Sequence, residues 1–101
     1  MEIPSMFNLT DKVALVSGAS RGIGAAIAQI LAEFGAHVIL TSRKAENIKQ
    51  VEALINNAGN KASGMVCHNG DLAQIETLFD NIRKTHGRLD ILVNNAATNP
   101  F

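Results

Sequence analysis

Gly18-Ala19-Ser20-Arg21-Gly22-Ile23-Gly24 is the segment of this chain whose residue types and spacing most clearly point to chemistry. It joins a short apolar run to a stretch with helical periodicity. The first backbone N–H groups of that helix have no intrahelical partner, and the positive end of its dipole favours a phosphate. Glycines there permit a tight turn and let a pyrophosphate come close to the backbone. Glycines in such a turn can also serve only to let a helix pack closely on a strand. The strand before this turn and the periodic helix after it favour the phosphate reading.

A turn of this kind needs elements that hold it. Lys12-Val13-Ala14-Leu15-Val16-Ser17 reads as a strand buried on both faces, and Ile23, Ile27, Ile30, Leu31 and Phe34 recur at helical spacing up to Gly35. The unit then repeats. His37-Val38-Ile39-Leu40-Thr41 is a second strand, and Ile48, Val51, Ile55 and Ala58 line a second helix closed by Gly59. Gly64 to Cys67 is read as a short third strand, followed by Asp71 and Gln74 as a capping-box-like helix start. Ile75, Leu78, Phe79 and Ile82 supply that helix with a buried stripe, His86-Gly87 ends it, and Leu89 to Val93 form a fourth strand running into Asn94. This alternation predicts an α/β fold, a Rossmann-type doubly wound parallel sheet with right-handed crossovers and strand order 3-2-1-4.

Composition sets the class of partner. With 101 residues, the chain has room for one domain, and residues 1 to 9 read as loosely attached. Nine basic and nine acidic residues cancel without forming a charged tail, which argues against nucleic acid or an anionic membrane as partner. An apolar content of 47% predicts a soluble globular protein, and the apolar runs are too short to cross a bilayer. Met1-Glu2-Ile3-Pro4 lacks the pattern of a secretory leader, and the single cysteine, Cys67, has no intrachain partner, so a cytoplasmic location is expected.

The string Ser17-Gly18-Ala19-Ser20-Arg21-Gly22-Ile23-Gly24 resembles the Thr-Gly-x-x-x-Gly-x-Gly signature of the short-chain dehydrogenases/reductases. The resemblance extends from Lys12-Val13-Ala14-Leu15-Val16 to Leu89-Asp90-Ile91-Leu92-Val93-Asn94-Asn95-Ala96, nearly the whole chain. It implies that residues 1–101 are a dinucleotide-binding half-domain, the N-terminal part of a longer single-domain oxidoreductase that interconverts carbonyls and alcohols and forms homo-oligomers. Thr98-Asn99-Pro100-Phe101 is similar to the carbonyl-reductase branch of that family.

Enzymes that select NAD(H) usually carry a carboxylate roughly 20 residues past the glycines, for the ribose hydroxyls. This chain has Thr41-Ser42-Arg43-Lys44 there. The Arg43 guanidinium could pair with a 2′-phosphate, and the resemblance implies that Arg21 would approach the same group, so NADP(H) is the expected cofactor. The plainer reading of Arg43 is a solvated residue opening the second helix. After strand three, family members commonly place an Asp beside the adenine. Here His68 takes that place, followed by Asn69, and His68 reads either as an adenine contact or as an exposed loop histidine.

The family string Asn-Asn-Ala-Gly occurs literally at Asn56-Asn57-Ala58-Gly59, yet those residues finish a periodic helix and read as its terminator. The functional counterpart is Asn94-Asn95-Ala96-Ala97 at the end of strand four, where ligand crevices form in open parallel sheets. The resemblance places Asn95 and Ala96 near the cofactor ribose and has Asn94 join strand four to its neighbours. The expected cofactor contacts are therefore Gly18, Ser20, Arg21, Gly22, Ile23, Gly24, Ser42, Arg43, His68, Asn69, Asn95, Ala96 and Ala97.

Family chemistry also needs a serine and a Tyr-x-x-x-Lys pair to orient the carbonyl and supply its proton. The chain has no tyrosine, so no catalytic residue is assigned and the chain alone is expected to be inactive. Ser17, Ser20 and Ser42 read as lying on the adenosine and phosphate side, Lys44, Lys49 and Lys84 as solvated, and Cys67 as a small apolar residue. In such a piece, strand four would be an unpaired edge with apolar surface beside it, prone to association. Two other readings are a naturally short nucleotide-binding or regulatory module without turnover, and a flavodoxin-like receiver, which needs different loop chemistry.

Overall fold

A computed structural model of the chain describes residues 8–19, 22–68 and 70–95. Strands β1 (Val13–Ser17), β2 (His37–Ser42), β3 (Lys61–Val66) and β4 (Ile91–Asn94) alternate with helices α1 (Gly22–Glu33), α2 (Ala45–Asn57) and α3 (Leu72–His86). The strands form one parallel sheet in the expected order β3-β2-β1-β4. Side chains alternate across it because successive residues of a strand point to opposite faces. Ala14, Val16, Val38 and Leu40 join α1 and α2 in one core cluster. Val13, Leu15 and Ile39 join Leu78 and Ile82 of α3 in another.

The helix ends follow local rules. The Asp71 carboxylate caps α3 by accepting the Gln74 N–H at 3.2 Å, while Gln74 Oε1 accepts the His68 N–H at 2.8 Å, closing the loop that precedes the helix. Gly87 ends α3 in the left-handed conformation, with φ 72°. At the other end of the sheet, the Asp90 carboxylate accepts the Val13 N–H at 2.8 Å and holds Arg88 bidentately at 2.7 and 2.8 Å. The Arg88 hydrogen bonds, then that from Val13, bring the Asp90 carboxyl down to about 2, so this clamp between the starts of β1 and β4 stays ionised near neutral pH.

Four expectations need correction. The isoleucines of α1 do not form its buried face: Ile23 is 71% and Ile30 50% exposed, whereas Ala25, Ala28 and Ala32 are buried. Small side chains let α1 lie close on the sheet, and the larger ones then point away. Strand β3 begins at Lys61, not Gly64, and Cys67 lies just past its end, because its early residues pair with β2 from His37↔Lys61 onward. Leu9 is not loose: its N–H donates to the Phe34 carbonyl at 2.7 Å, and its side chain packs on the core. Phe79, read as part of the α3 stripe, is 41% exposed.

His37, the first residue of β2, couples the sheet to the end of α3. Its Nε2 lies 2.9 Å from Ser63 Oγ, and its ring meets that of His86 edge-on with centroids 4.4 Å apart. Burial, then the nearby positive charge of His86 and Lys61, lowers its pKa below the ordinary 6.5. The folded state thus favours neutral His37. Stability is full above 6.5 and declines as pH falls below that value toward the lowered folded pKa, where the unfolded chain binds the proton more readily. Thermal melts from about pH 7.5 to about pH 5 should show this decline, and His37→Gln should flatten it; an equally steep profile in the variant would disprove the assignment.

Candidate functional site

The carboxyl ends of all four parallel strands lie at one end of the sheet. On either side of β1 the connections diverge, with α1 and α2 packed on one face and α3 on the other. Such a switch point is where open α/β sheets leave a crevice for ligands. Gly18 follows β1 with φ 64° and Gly22 opens α1 with φ 63°, so the turn takes left-handed conformations that glycine adopts without steric cost. Ala19, fully buried, donates its N–H to the Thr41 carbonyl at 3.1 Å and ties the turn to the end of β2.

The turn is also locked to β4. The Asn95 side chain donates Nδ2–H to the Gly18 carbonyl at 3.3 Å, and the Asn95 backbone N–H donates to Ser17 Oγ at 3.1 Å. The Ser17 hydroxyl lies 3.0 Å from Asn94 Oδ1, the acceptor for its proton. Gly24 sits inside this clasp: a Cβ there would overlap the Gly18 carbonyl oxygen and lie 2.6 Å from Asn95 Nδ2. The expected joining role of Asn94 is present. Ser17, read as lying on the adenosine and phosphate side, bridges the two strand ends beside the turn. The extended backbone of β1 and β4, paired Ser17↔Asn94, brings these residues together across more than 75 positions of sequence, |i−j| being 77 for Ser17 and Asn94.

Ser42 ends β2 and its Oγ accepts the Lys44 N–H at 3.3 Å, which orients the backbone entering α2. Arg43 between them is exposed and forms no ion pair among the described residues. Past β3, the exposed His68 accepts the Gly70 N–H on Nδ1 at 3.2 Å, so in the neutral ring Nε2 carries the proton and can donate. His68, Gly70, Asp71, Leu72, Ala73 and Gln74 line an open hollow of about 570 Å³. Cys67 is buried, and burial, then the Asp71 charge, pushes its thiol pKa up, which fits an inert packing role.

The structure thus gathers Gly18, Gly22, Ile23, Gly24, Ser42, Arg43, His68 and Asn95 around the carboxyl ends of the strands. Ser20, Arg21, Asn69, Ala96 and Ala97 lie outside the described residues. The Asn56-Asn57-Ala58-Gly59 string lies elsewhere, at the end of α2, with Gly59 at φ 86°. What the gathered groups can do is bind: they offer N–H groups at a helix start, a guanidinium without an ion pair among the described residues and an imidazole N–H.

Residues 12–101 match the family model described as short chain dehydrogenase. Human dehydrogenase/reductase SDR family member 4 is 48% identical over 93 residues, 92% of this chain and 34% of that protein. The pig protein of the same name is 47% identical over the same length. Among solved structures, a metagenomic short-chain oxidoreductase in complex with NADP superposes with a TM-score of 0.87 at 44% identity, over 89% of this chain and 41% of that one. Hydroxysteroid dehydrogenase from Escherichia coli gives a TM-score of 0.84 at 31% identity, over 94% of this chain and 42% of that one. The chain spans about a third of the length of the curated relatives it matches, 34% of the human protein.

Proposed function

The chain belongs to the short-chain dehydrogenase family, and on that premise we propose that it is the NADP(H)-binding part of an oxidoreductase that interconverts small carbonyls and alcohols. The observation that carries this reading is the glycine turn clasped between β1 and β4, with Arg43 exposed and without an ion pair among the described residues beyond the end of β2. The N–H groups at the start of α1 would hold the pyrophosphate, Arg43 the 2′-phosphate, and His68 the adenine. The NADP complex of the metagenomic oxidoreductase supports the choice of cofactor.

When bound, the nicotinamide supplies or accepts a hydride. The part of this chain is to orient the dinucleotide: the Ser17–Asn94–Asn95 clasp fixes the distance between the phosphate turn and the end of β4. No tyrosine is present to hand a proton to the carbonyl oxygen, so this chain alone should bind without turnover.

Calorimetric titration with NADPH and with NADH tests the reading. The chain also contains neither tryptophan nor tyrosine, so nicotinamide fluorescence offers a second signal without interference from those residues. NADPH should bind at least roughly tenfold more tightly than NADH, and Arg43→Ala should erase most of that preference while leaving NADH affinity nearly unchanged. Equal affinities in the unsubstituted chain, or a preference that survives Arg43→Ala, would refute the proposed role of Arg43.

A further inference from the structure

Among the described residues, strand β3 ends the sheet and pairs only with β2. An edge strand presents N–H and C=O groups on its open side, a ready template for pairing with another chain. Here helix α2 reaches over that side. The Asn56 side chain accepts the Ala62 N–H on Oδ1 at 2.9 Å and donates Nδ2–H to the Ala62 carbonyl at 3.1 Å. Its amide therefore meets both groups of one residue, as the backbone of a neighbouring strand would.

One helical turn earlier, Glu52 Oε2 accepts the Gly64 N–H at 2.8 Å. Ala62 and Gly64 are two residues apart, so their backbone groups face the same side of the strand. Glu52 and Asn56 are four apart, so they share one face of the helix. Gly64 makes the approach possible, because a Cβ at that position would overlap Ile48 Cγ2 of α2. Nothing else in β3 guards the edge: Lys-Ala-Ser-Gly-Met-Val contains no proline, and its one charge is at the first residue.

We propose that Glu52 and Asn56 act as a side-chain surrogate for a neighbouring strand, keeping β3 from pairing with β3 of a second copy of this chain. Without them, Ala62 and Gly64 regain free donors on an uncharged stretch of edge. Two copies then meet edge to edge about a two-fold axis, with the same strand of each copy in the interface.

Amide hydrogen exchange and sedimentation velocity, run at low and high concentration on the 101-residue chain and its Glu52→Ala/Asn56→Ala variant, test this. In the unsubstituted chain, Ala62 and Gly64 amides should exchange at rates independent of concentration. In the variant they should exchange roughly tenfold faster when dilute, regain protection when concentrated, and do so in step with an increase in sedimentation coefficient. Adding Ala62→Pro, which removes an N–H that is not bonded to β2, should abolish that association. If the double variant does not fold, Asn56→Ala alone is read by the same signals. The proposal falls if the folded variant exchanges these amides at a rate independent of concentration, or if its association survives Ala62→Pro.

Discussion

Gly24→Val is expected to abolish detectable NADPH binding and to lower the melting temperature by about 12 °C or more, a cost at the upper end of the roughly 1–3 kcal/mol typical of overpacking. The reason is geometric. The first added carbon would already overlap the Gly18 carbonyl oxygen and press on Asn95 Nδ2, and the Gly18 carbonyl is itself held by the Asn95 side chain. Neither group can retreat without opening the join between β1 and β4, so the start of α1 must move away from the crevice. An affinity loss of at least roughly a hundredfold, about 2.8 kcal/mol, follows if the phosphate is held by the first N–H groups of that helix. Gly22 provides the contrast. A Cβ there meets nothing within 4 Å, and its constraint is the positive φ of 63°. Gly22→Ala should therefore cost only about 1–2 kcal/mol, and Gly22→Asn less, since Asn tolerates that conformation. Calorimetric titration and thermal melts of the three variants decide the matter. NADPH affinity unchanged in Gly24→Val would remove the turn from the binding site.

The second large effect concerns which face of α1 touches the sheet. Ala28 is fully buried against the sheet, while Ile30 is 50% exposed. Ala28→Leu should destabilise the chain by about 1–3 kcal/mol or more, because a larger side chain must lift the helix off β1 and β2. Ile30→Ala should stay within about 0.5 kcal/mol. Urea unfolding measures both. If Ile30→Ala proved the more damaging, the isoleucine stripe would be the buried face and the placement of α1 wrong. If the N–H groups at the start of α1 hold the phosphate, as proposed, Ala28→Leu should weaken NADPH binding as well as stability.

The α1 comparison shows where reading the sequence stops. Apolar periodicity identified a helix but not its buried side, since its alanines and isoleucines both recur at helical spacing. Packing distance chose between them: a sheet flanked by two helices on one face accepts small side chains where α1 approaches most closely. The beginning of β3 was hidden for a related reason. Lys61, Ala62 and Ser63 carry no strand-like pattern, and they extend because β2 pairs with them on one side and Asn56 satisfies Ala62 on the other. By contrast, the duplicate Asn-Asn-Ala-Gly string could be set aside from sequence, since Gly59 follows a periodic helix and needs the positive φ it shows.

Local chemistry by itself determined the alternation of strands and helices, the handedness of the crossovers, the glycine turn, the Asp71 cap and the left-handed helix ends. Each depends on neighbours within a few residues or on a chirality common to all L-chains. Only the tertiary structure decided that Ser17 clasps Asn94 and Asn95, that Gly24 is tight because of Asn95, that Asp90 clamps β1, and that α2 seals the edge of β3. Those contacts join residues distant in sequence or on different elements, and hydrogen bonds between short polar side chains leave no periodic trace in the chain that makes them.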